Sequence, residues 1–249
     1  MTRILALNVR AGGIRAKLDA LLERALRLEA QVCVFSEFRD TISGDRIREA
    51  MTRAGHRHQA FSAGHRGNGV LVASTMPFEP IPNPAGLPEA AYPHAMIECV
   101  FPDWHVIGCY LPGQDRKRPH LCYLIRFAQA INERNLPAIA IGDFNSGRNE
   151  TDIEANLGKA RLADEFSTAD LYSLLERQWT ELWQHFHPDE REFSWYPQLG
   201  PPQRKNGWRL DKAFASRAML PRISGAHYDH TFRLDALSDH SALIVDVRD

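Results

Sequence analysis

Eight side chains in this sequence have the types and placement to do chemistry: Asn8, Glu37, Tyr110, Asp143, Asn145, Asp211, Asp239 and His240. Each lies at or beside the end of an apolar run of strand length. Asn8 belongs to ILALNV, Glu37 follows VCVFS, Tyr110 closes VIGCY, and Asp143 and Asn145 follow AIAIG. Asp211 sits in WRLDKAFAS, and Asp239 and His240 precede ALIVDV. One acidic residue at a strand end is ordinarily a turn residue, because Asp and Asn bond their own backbone there. Joint occurrence carries the argument: strand ends on one sheet edge converge, and carboxylates, amides, a phenol and an imidazole together suit a hydrolytic site.

The residue types also select a metal. Glu37, Asp143 and Asp239, with Asn8 and Asn145, offer hard oxygen donors and no thiolate, which fits Mg²⁺, with Mn²⁺ as substitute. Mg²⁺ is held by few carboxylates and keeps water or phosphate oxygens in its shell, which suits a site handling a phosphodiester. Asp211 is the candidate to orient His240 and fix its tautomer. Zinc ligation by His227, Asp229 and His230, or by His185 and His187, matches no standard spacing, and surface histidines account for them better.

The elements that must position these residues are legible as periodicities. Strand-length apolar runs recur at 4–9, 31–35, 69–74, 96–100, 106–110, 138–141, 210–215 and 242–247, several of them apolar on both faces as in a buried sheet. Helical spacing appears at Leu18, Leu21, Leu22, Ala25 and Leu26, at Leu121, Leu124, Ile125, Ala128 and Ile131, and at Leu171, Leu174, Leu175, Leu182 and Phe186. The pattern predicts an α/β fold with some antiparallel pairing. The Pro- and Gly-rich stretches at 77–93 and 197–207 do not separate halves of different composition, so residues 1–249 are expected to form a single catalytic domain. The stretch 146–169 is polar and weakly periodic, and reads as a long excursion.

Bulk properties narrow the class. With 249 residues, 44% hydrophobic and 24% charged, the chain can bury a substantial core. Thirty Lys and Arg against 31 Asp and Glu give a net charge of −1, so no global basic field draws the protein to nucleic acid and any polyanion contact is local. The first residues lack a signal-peptide pattern, and no apolar span is long enough for a membrane; a soluble, cytoplasmic protein without membrane contact is expected. Cys33, Cys99, Cys109 and Cys122 show no CxxC spacing and read as buried free thiols.

Taken in order, LNV, SEF, GDFN, RLD and SDH resemble the motif series of the endonuclease/exonuclease/phosphatase superfamily, over residues 8 to 240. The segment EREFSWYPQLGPPQRKNGWRLDKAFAS and the loop CYLPGQDRKRP resemble its exonuclease III and abasic-site endonuclease branch. The resemblance implies a four-layer α/β/β/α sandwich with two packed mixed sheets and the site at one edge. It implies Glu37 and Asp239 as metal ligands with Asn8 hydrogen-bonding around them. Asp143 would activate water, Asn145 would hold the phosphate and Tyr110 would position it, while His240, oriented by Asp211, would bond a phosphate oxygen. Asp143 is the favoured base, with His240 as competitor.

For the substrate, Trp195, Trp208 and Leu210 resemble the apolar pocket that accepts a base-free sugar in abasic-site enzymes; core packing is the plain alternative for Trp195. Arg116, Lys117 and Arg118, with Arg204 and Lys205, are candidates for a local phosphate-tracking rim. The resemblance implies DNA as partner, a DNA-repair role as abasic-site endonuclease or 3′-exonuclease, and no obligate protein partner. Three features depart from that branch: the near-neutral charge, Arg10 two positions after the asparagine, and Gly113 where a polar amide is common. RNA, a nucleotide-derived diester or a phospholipid head group are the alternative substrates. A degenerate binding module would have lost ligands, and none is missing.

Overall fold

In a computed structural model, residues 1–62, 67–154, 166–197 and 207–248 are described. Among them, twelve strands form two six-stranded sheets. The first has the order β11-β12-β1-β2-β4-β3, from β1 (Thr2–Asn8), β2 (Val32–Phe38), β3 (His58–Phe61), β4 (Gly69–Ser74), β11 (Ile223–Asp229) and β12 (Ala242–Val247). The second has the order β5-β6-β7-β8-β10-β9, from β5 (Glu79–Ile81), β6 (Met96–Val100), β7 (His105–Tyr110), β8 (Ala138–Asp143), β9 (Thr180–Glu181) and β10 (Asp211–Ala215). Each sheet is mixed: β1–β2 and β7–β8 are parallel and the other neighbours antiparallel.

Both strand faces are apolar because both are covered. Ile4, Ala6, Val34, Val72, Ile97, Val106, Ile139, Ala213 and Val245 pack between the sheets. The outer face of the first sheet (Leu5, Leu7, Phe35) takes the stripe Leu18, Leu21, Leu22 and Ala25 of α1 (Leu18–Arg27), with Ile47 and Met51 of α2 (Ile42–Arg53). The outer face of the second (Ile107, Cys109, Ala140) takes Leu121, Leu124, Ala128 and Ile131 of α3 (Arg118–Glu133), with Tyr172 and Leu175 of α4 (Ala169–Gln178). The i, i+3, i+4, i+7 spacing puts each set on one helix face, and each fully buried Leu contributes about 1.5–3 kcal/mol. The result is the α/β/β/α sandwich expected from the resemblance. Two short helices, α5 (Leu182–Phe186) and α6 (Thr231–Leu234), complete the α-helices among the described residues.

The sheets approach closely at Gly108, where a Cβ would sit 2.9 Å from Val70 and 3.1 Å from Val34 across the interface. Ser36 stitches the same interface near the site: its buried Oγ donates to the Cys109 carbonyl at 3.0 Å and accepts the Asp143 N–H at 3.3 Å. The parallel pairs carry their C-terminal ends to this edge, with Asn8 opposite Ser36 and Tyr110 opposite Asp143. The antiparallel β10 begins there, with Asp211 opposite Asp143. No helix among the described residues is long and apolar enough to cross a membrane.

Candidate active site

Local backbone devices aim the side chains. A β-bulge between Ser36 and Phe38 puts Glu37 out of register at φ 57°, and Asn145 sits at φ 46°, both left-handed. Such conformations in non-glycine residues concentrate where a side chain must be re-aimed. Gly142 at φ 139° is required, because a Cβ there would overlap the Cys109 carbonyl oxygen of the adjacent strand. This is the physical reason for the glycine of GDFN.

Asn8 is the hub. Its Nδ2 donates to Glu37 Oε1 at 3.1 Å and to Asp143 Oδ2 at 2.9 Å, while its Oδ1 accepts the Arg10 N–H at 2.8 Å. Glu37 Oε2 takes the Ala11 N–H at 2.6 Å and the Asn68 side chain at 3.1 Å. Asp143 is buried and accepts the Asn145 N–H at 2.9 Å and its Nδ2 at 3.3 Å. Burial pushes its carboxyl up to about 7, with the charges of Asp211 and Glu37 adding and His240 opposing. The Tyr110 hydroxyl lies 3.3 Å from Asn68 Nδ2, and burial with the Glu37 charge holds the phenol protonated far above neutrality.

His240 Nδ1 and Asp211 Oδ2 are 2.8 Å apart in the interior. Burial alone would lower the imidazole, but the charge and hydrogen bond of Asp211, with Asp143 and Asp239, raise it to about 10. It is therefore an imidazolium at neutral pH, with Nε2 directed away from Asp211. Ser238 fixes the SDH turn, donating from Oγ to the Asn8 carbonyl at 2.7 Å and accepting the His240 N–H at 3.1 Å.

Asp239 Oδ2 accepts the Trp195 indole N–H at 3.1 Å, whereas Oδ1 is shielded and accepts no hydrogen bond among the described residues. A shielded carboxylate oxygen without a hydrogen-bond donor is what a hard cation satisfies. Among the described residues no three His, Cys, Asp or Glu groups converge to hold an ion unaided, so an ion here would be completed by water or substrate oxygens, as Mg²⁺ commonly is. Asn8 spends its oxygen on Arg10 and faces the carboxylates as a donor.

Trp195 bridges Trp208 and His240 in backbone pairing, with ring centroids 5.6 Å and 6.4 Å away respectively. Trp195 and Trp208 are half-buried, and Leu210 is buried with Ile153 and Phe166 beneath them. The two tryptophans thus form a wall beside His240, and Leu210 is core beneath it.

The basic rim requires correction. Lys117 is buried and donates to the Asn145 carbonyl beneath the site; burial lowers its ammonium to about 8 against the pull of Asp143 and Asp115. Arg118 pairs with Asp115 at 3.5 Å and Asp170 at 3.8 Å, and Arg116 lies over the Tyr92 ring at 5.4 Å. A three-residue basic run on a helical turn cannot face one way, so its middle member points inward. Arg204 and Lys205 lie outside the described residues, as does most of the 146–169 excursion. His187 and His230 spend their ring nitrogens on Glu190, the Ala226 carbonyl, Glu192 and Ser241, which disposes of the zinc alternative among them.

Sequence reasoning missed Asn68, Ser36 and Ser238 as neighbours of the site residues, and placed Lys117 on the rim when it is buried. Ser36 and Ser238 belong to SEF and SDH, whose first letters carried the signal. Asn68 stands alone before β4, with no spacing to mark it.

The fold and site define a class of two-sheet α/β/β/α proteins with a carboxylate, amide and imidazole cluster at one strand edge. The chain belongs to the endonuclease/exonuclease/phosphatase family, whose profile matches residues 5–240. An exodeoxyribonuclease of Streptococcus pneumoniae is 28% identical over 169 residues, 58% of this chain and 61% of the relative. The DNA repair nuclease APEX1 of Danio rerio is 25% identical over 148 residues, 55% of this chain and 47% of the relative. Each alignment spans less than two thirds of the relative. An AP endonuclease structure from Archaeoglobus fulgidus superposes with TM-score 0.79 at 21% identity, covering 99% of both chains. The 3′-5′ exonuclease NExo of Neisseria meningitidis gives 0.80 at 19%, covering 100% of both.

Proposed function

We propose that the protein is a divalent-metal-dependent phosphodiester hydrolase acting on DNA, an abasic-site endonuclease or 3′-exonuclease of DNA repair. The observation that carries the reading is the buried His240–Asp211 pair beside the Asn8-bridged carboxylates Glu37 and Asp143. The named activities of the exodeoxyribonuclease and APEX1 relatives support the same reading.

Glu37 and Asp239 would hold the cation, which supplies charge neutralisation at the phosphate. Asp143, buried and titrating near neutrality, is suited to take a proton from the attacking water. His240 enters as the imidazolium, a donor to a phosphate oxygen from Nε2 and a poor base. This division favours Asp143 over His240 as base. Asn145 donates from Nδ2 to the Leu111 carbonyl at 2.9 Å and to Asp143 at 3.3 Å, so in this arrangement it would position Asp143 and not bond the phosphate directly. The protonated Tyr110 would donate to the phosphate. Trp195 and Trp208 would pack against the base-free sugar or a nucleobase. Each acid/base contribution is worth roughly 10² to 10⁴-fold.

The test is a substrate panel with Mg²⁺ or Mn²⁺: an abasic duplex, a recessed 3′ end, RNA, a nucleotide diester and a phospholipid. Turnover of the first two is expected; turnover confined to the others would overturn DNA as substrate.

A further inference from the structure

The Arg10 guanidinium stands at the rim of the carboxylate cluster. Its Nε lies 3.7 Å from Asp239 Oδ1, and its side chain is 42% exposed against 19% for Asp239. The distance is an ion pair and too long for a hydrogen bond, so Oδ1 is neutralised in part but not satisfied. A guanidinium therefore rests where a shielded carboxylate oxygen faces the site.

The backbone holds it there. Arg10, Ala11, Gly12 and Gly13 are left-handed in succession, at φ 54°, 53°, 84° and 94°. Arg10 and Ala11 carry a Cβ, and their conformation is sustained by bonds to the site itself. The Arg10 N–H goes to Asn8 Oδ1 at 2.8 Å, the Ala11 N–H to Glu37 Oε2 at 2.6 Å and the Gly12 N–H to the Glu37 carbonyl at 2.8 Å. Strain kept up by contacts with site residues points to a role for the side chain it aims.

We propose that Arg10, which pairs with Asp239 in this structure, is a phosphate-binding residue of this site that passes to a non-bridging oxygen of the substrate phosphate when a divalent cation takes the Asp239 carboxylate. The inference rests on the hydrolase reading of the site. A cation on Oδ1 and a guanidinium beside it repel. The long, half-exposed arginine side chain can swing away, and its planar fork matches a phosphate group. Arg10 thus opposes metal binding and assists phosphate binding, two effects of opposite sign that no purely structural role produces.

The experiment compares wild type, Arg10→Met and Arg10→Lys, checked for folding by circular dichroism. Mn²⁺ is titrated calorimetrically into substrate-free protein, inorganic phosphate into the Mn²⁺-saturated protein, and kcat/KM is measured on an abasic duplex. Arg10→Met is expected to bind Mn²⁺ about two- to fivefold tighter, the range of a partly exposed ion pair. It should lose about tenfold or more in phosphate affinity and in kcat/KM, as for a lost charged hydrogen bond. Arg10→Lys should restore wild-type Mn²⁺ affinity and part of the phosphate affinity. Unchanged or weaker Mn²⁺ binding in Arg10→Met, or unchanged phosphate affinity, overturns the proposal. If the wild type cleaves no nucleic acid, the hydrolase reading fails, and the two titrations still decide the role of Arg10.

Discussion

Asp211 and His240 are locked at 2.8 Å, Oδ2 to Nδ1, with side chains 1% and 5% exposed. Register places the same aspartate opposite Asp143, so one strand pairing sets the positions of both Asp143 and the His240 partner. Asp211→Asn should lower kcat by about 10²- to 10⁴-fold, because the amide neither fixes the tautomer nor supports the charge. The His240 value should fall from about 10. Since the folded value exceeds the ordinary 6.5, the pair stabilises the fold fully below pH 6.5 and loses that contribution as pH rises through 10. Imidazole NMR titration and alkaline unfolding read both effects; an unmoved His240 titration in the variant would contradict them.

Gly142→Ala should disrupt the strand pairing beneath the site. The new Cβ meets the Cys109 backbone, which cannot yield as a side chain would, at a φ that L residues rarely adopt. A loss of about 3 kcal/mol or more is expected in chemical denaturation. Wild-type stability in the variant would refute this account of the GDFN glycine.

Asp152 anchors the loop after GDFN to the strand that carries Asp211. Its Oδ1 accepts Arg209 Nε at 2.7 Å and its Oδ2 pairs with Lys212 Nζ at 3.0 Å, all three buried. Asp152→Ala removes the carboxylate that Arg209 and Lys212 share, leaving Arg209 with Glu181 at 3.2 Å and Gln184 at 3.1 Å, and should cost about 3–5 kcal/mol. Burial raises this carboxyl, but Lys212 and Arg209 outweigh it and hold it below 3.8. The stabilisation is therefore present above pH 3.8 and lost as pH falls through the folded value. Acid unfolding curves that coincide for wild type and Asp152→Ala would contradict this.

Under the proposed hydrolase reading, Trp195 would serve Asp239 and the substrate separately. Trp195→Phe removes the indole N–H from Asp239 while keeping a ring beside His240, so Mn²⁺ affinity should fall several-fold with little change in KM. Trp195→Ala should also raise KM by roughly tenfold or more, the value of one lost stacking contact. Equal KM in the two variants would remove the wall from substrate binding.

What the sequence made legible was whatever periodicity or motif order records. The continuous apolar runs of the central strands and the helical stripes of α1 and α3 gave a buried sheet covered by helices, while the ordered motifs implied the four layers and named Asn8, Glu37, Asp143, Asp211 and His240. Inward or outward orientation within a short charged run is not recorded, which is why Lys117 read as surface and is core. Lone residues such as Asn68 take their role from the tertiary approach of β4 to the bulge at Glu37, a relation that leaves no local spacing.

The central claim is cleavage of a phosphodiester by this cluster. Purified protein should nick an abasic duplex or shorten a recessed 3′ end in Mg²⁺, stop on EDTA and recover with Mn²⁺. Glu37→Gln should lose about 10²-fold or more while keeping the wild-type melting transition, and His240→Ala should lose at least as much with a lowered transition, because Asp211 is left buried without its partner. Cleavage at wild-type rates in both variants, or undiminished cleavage in EDTA, would contradict it.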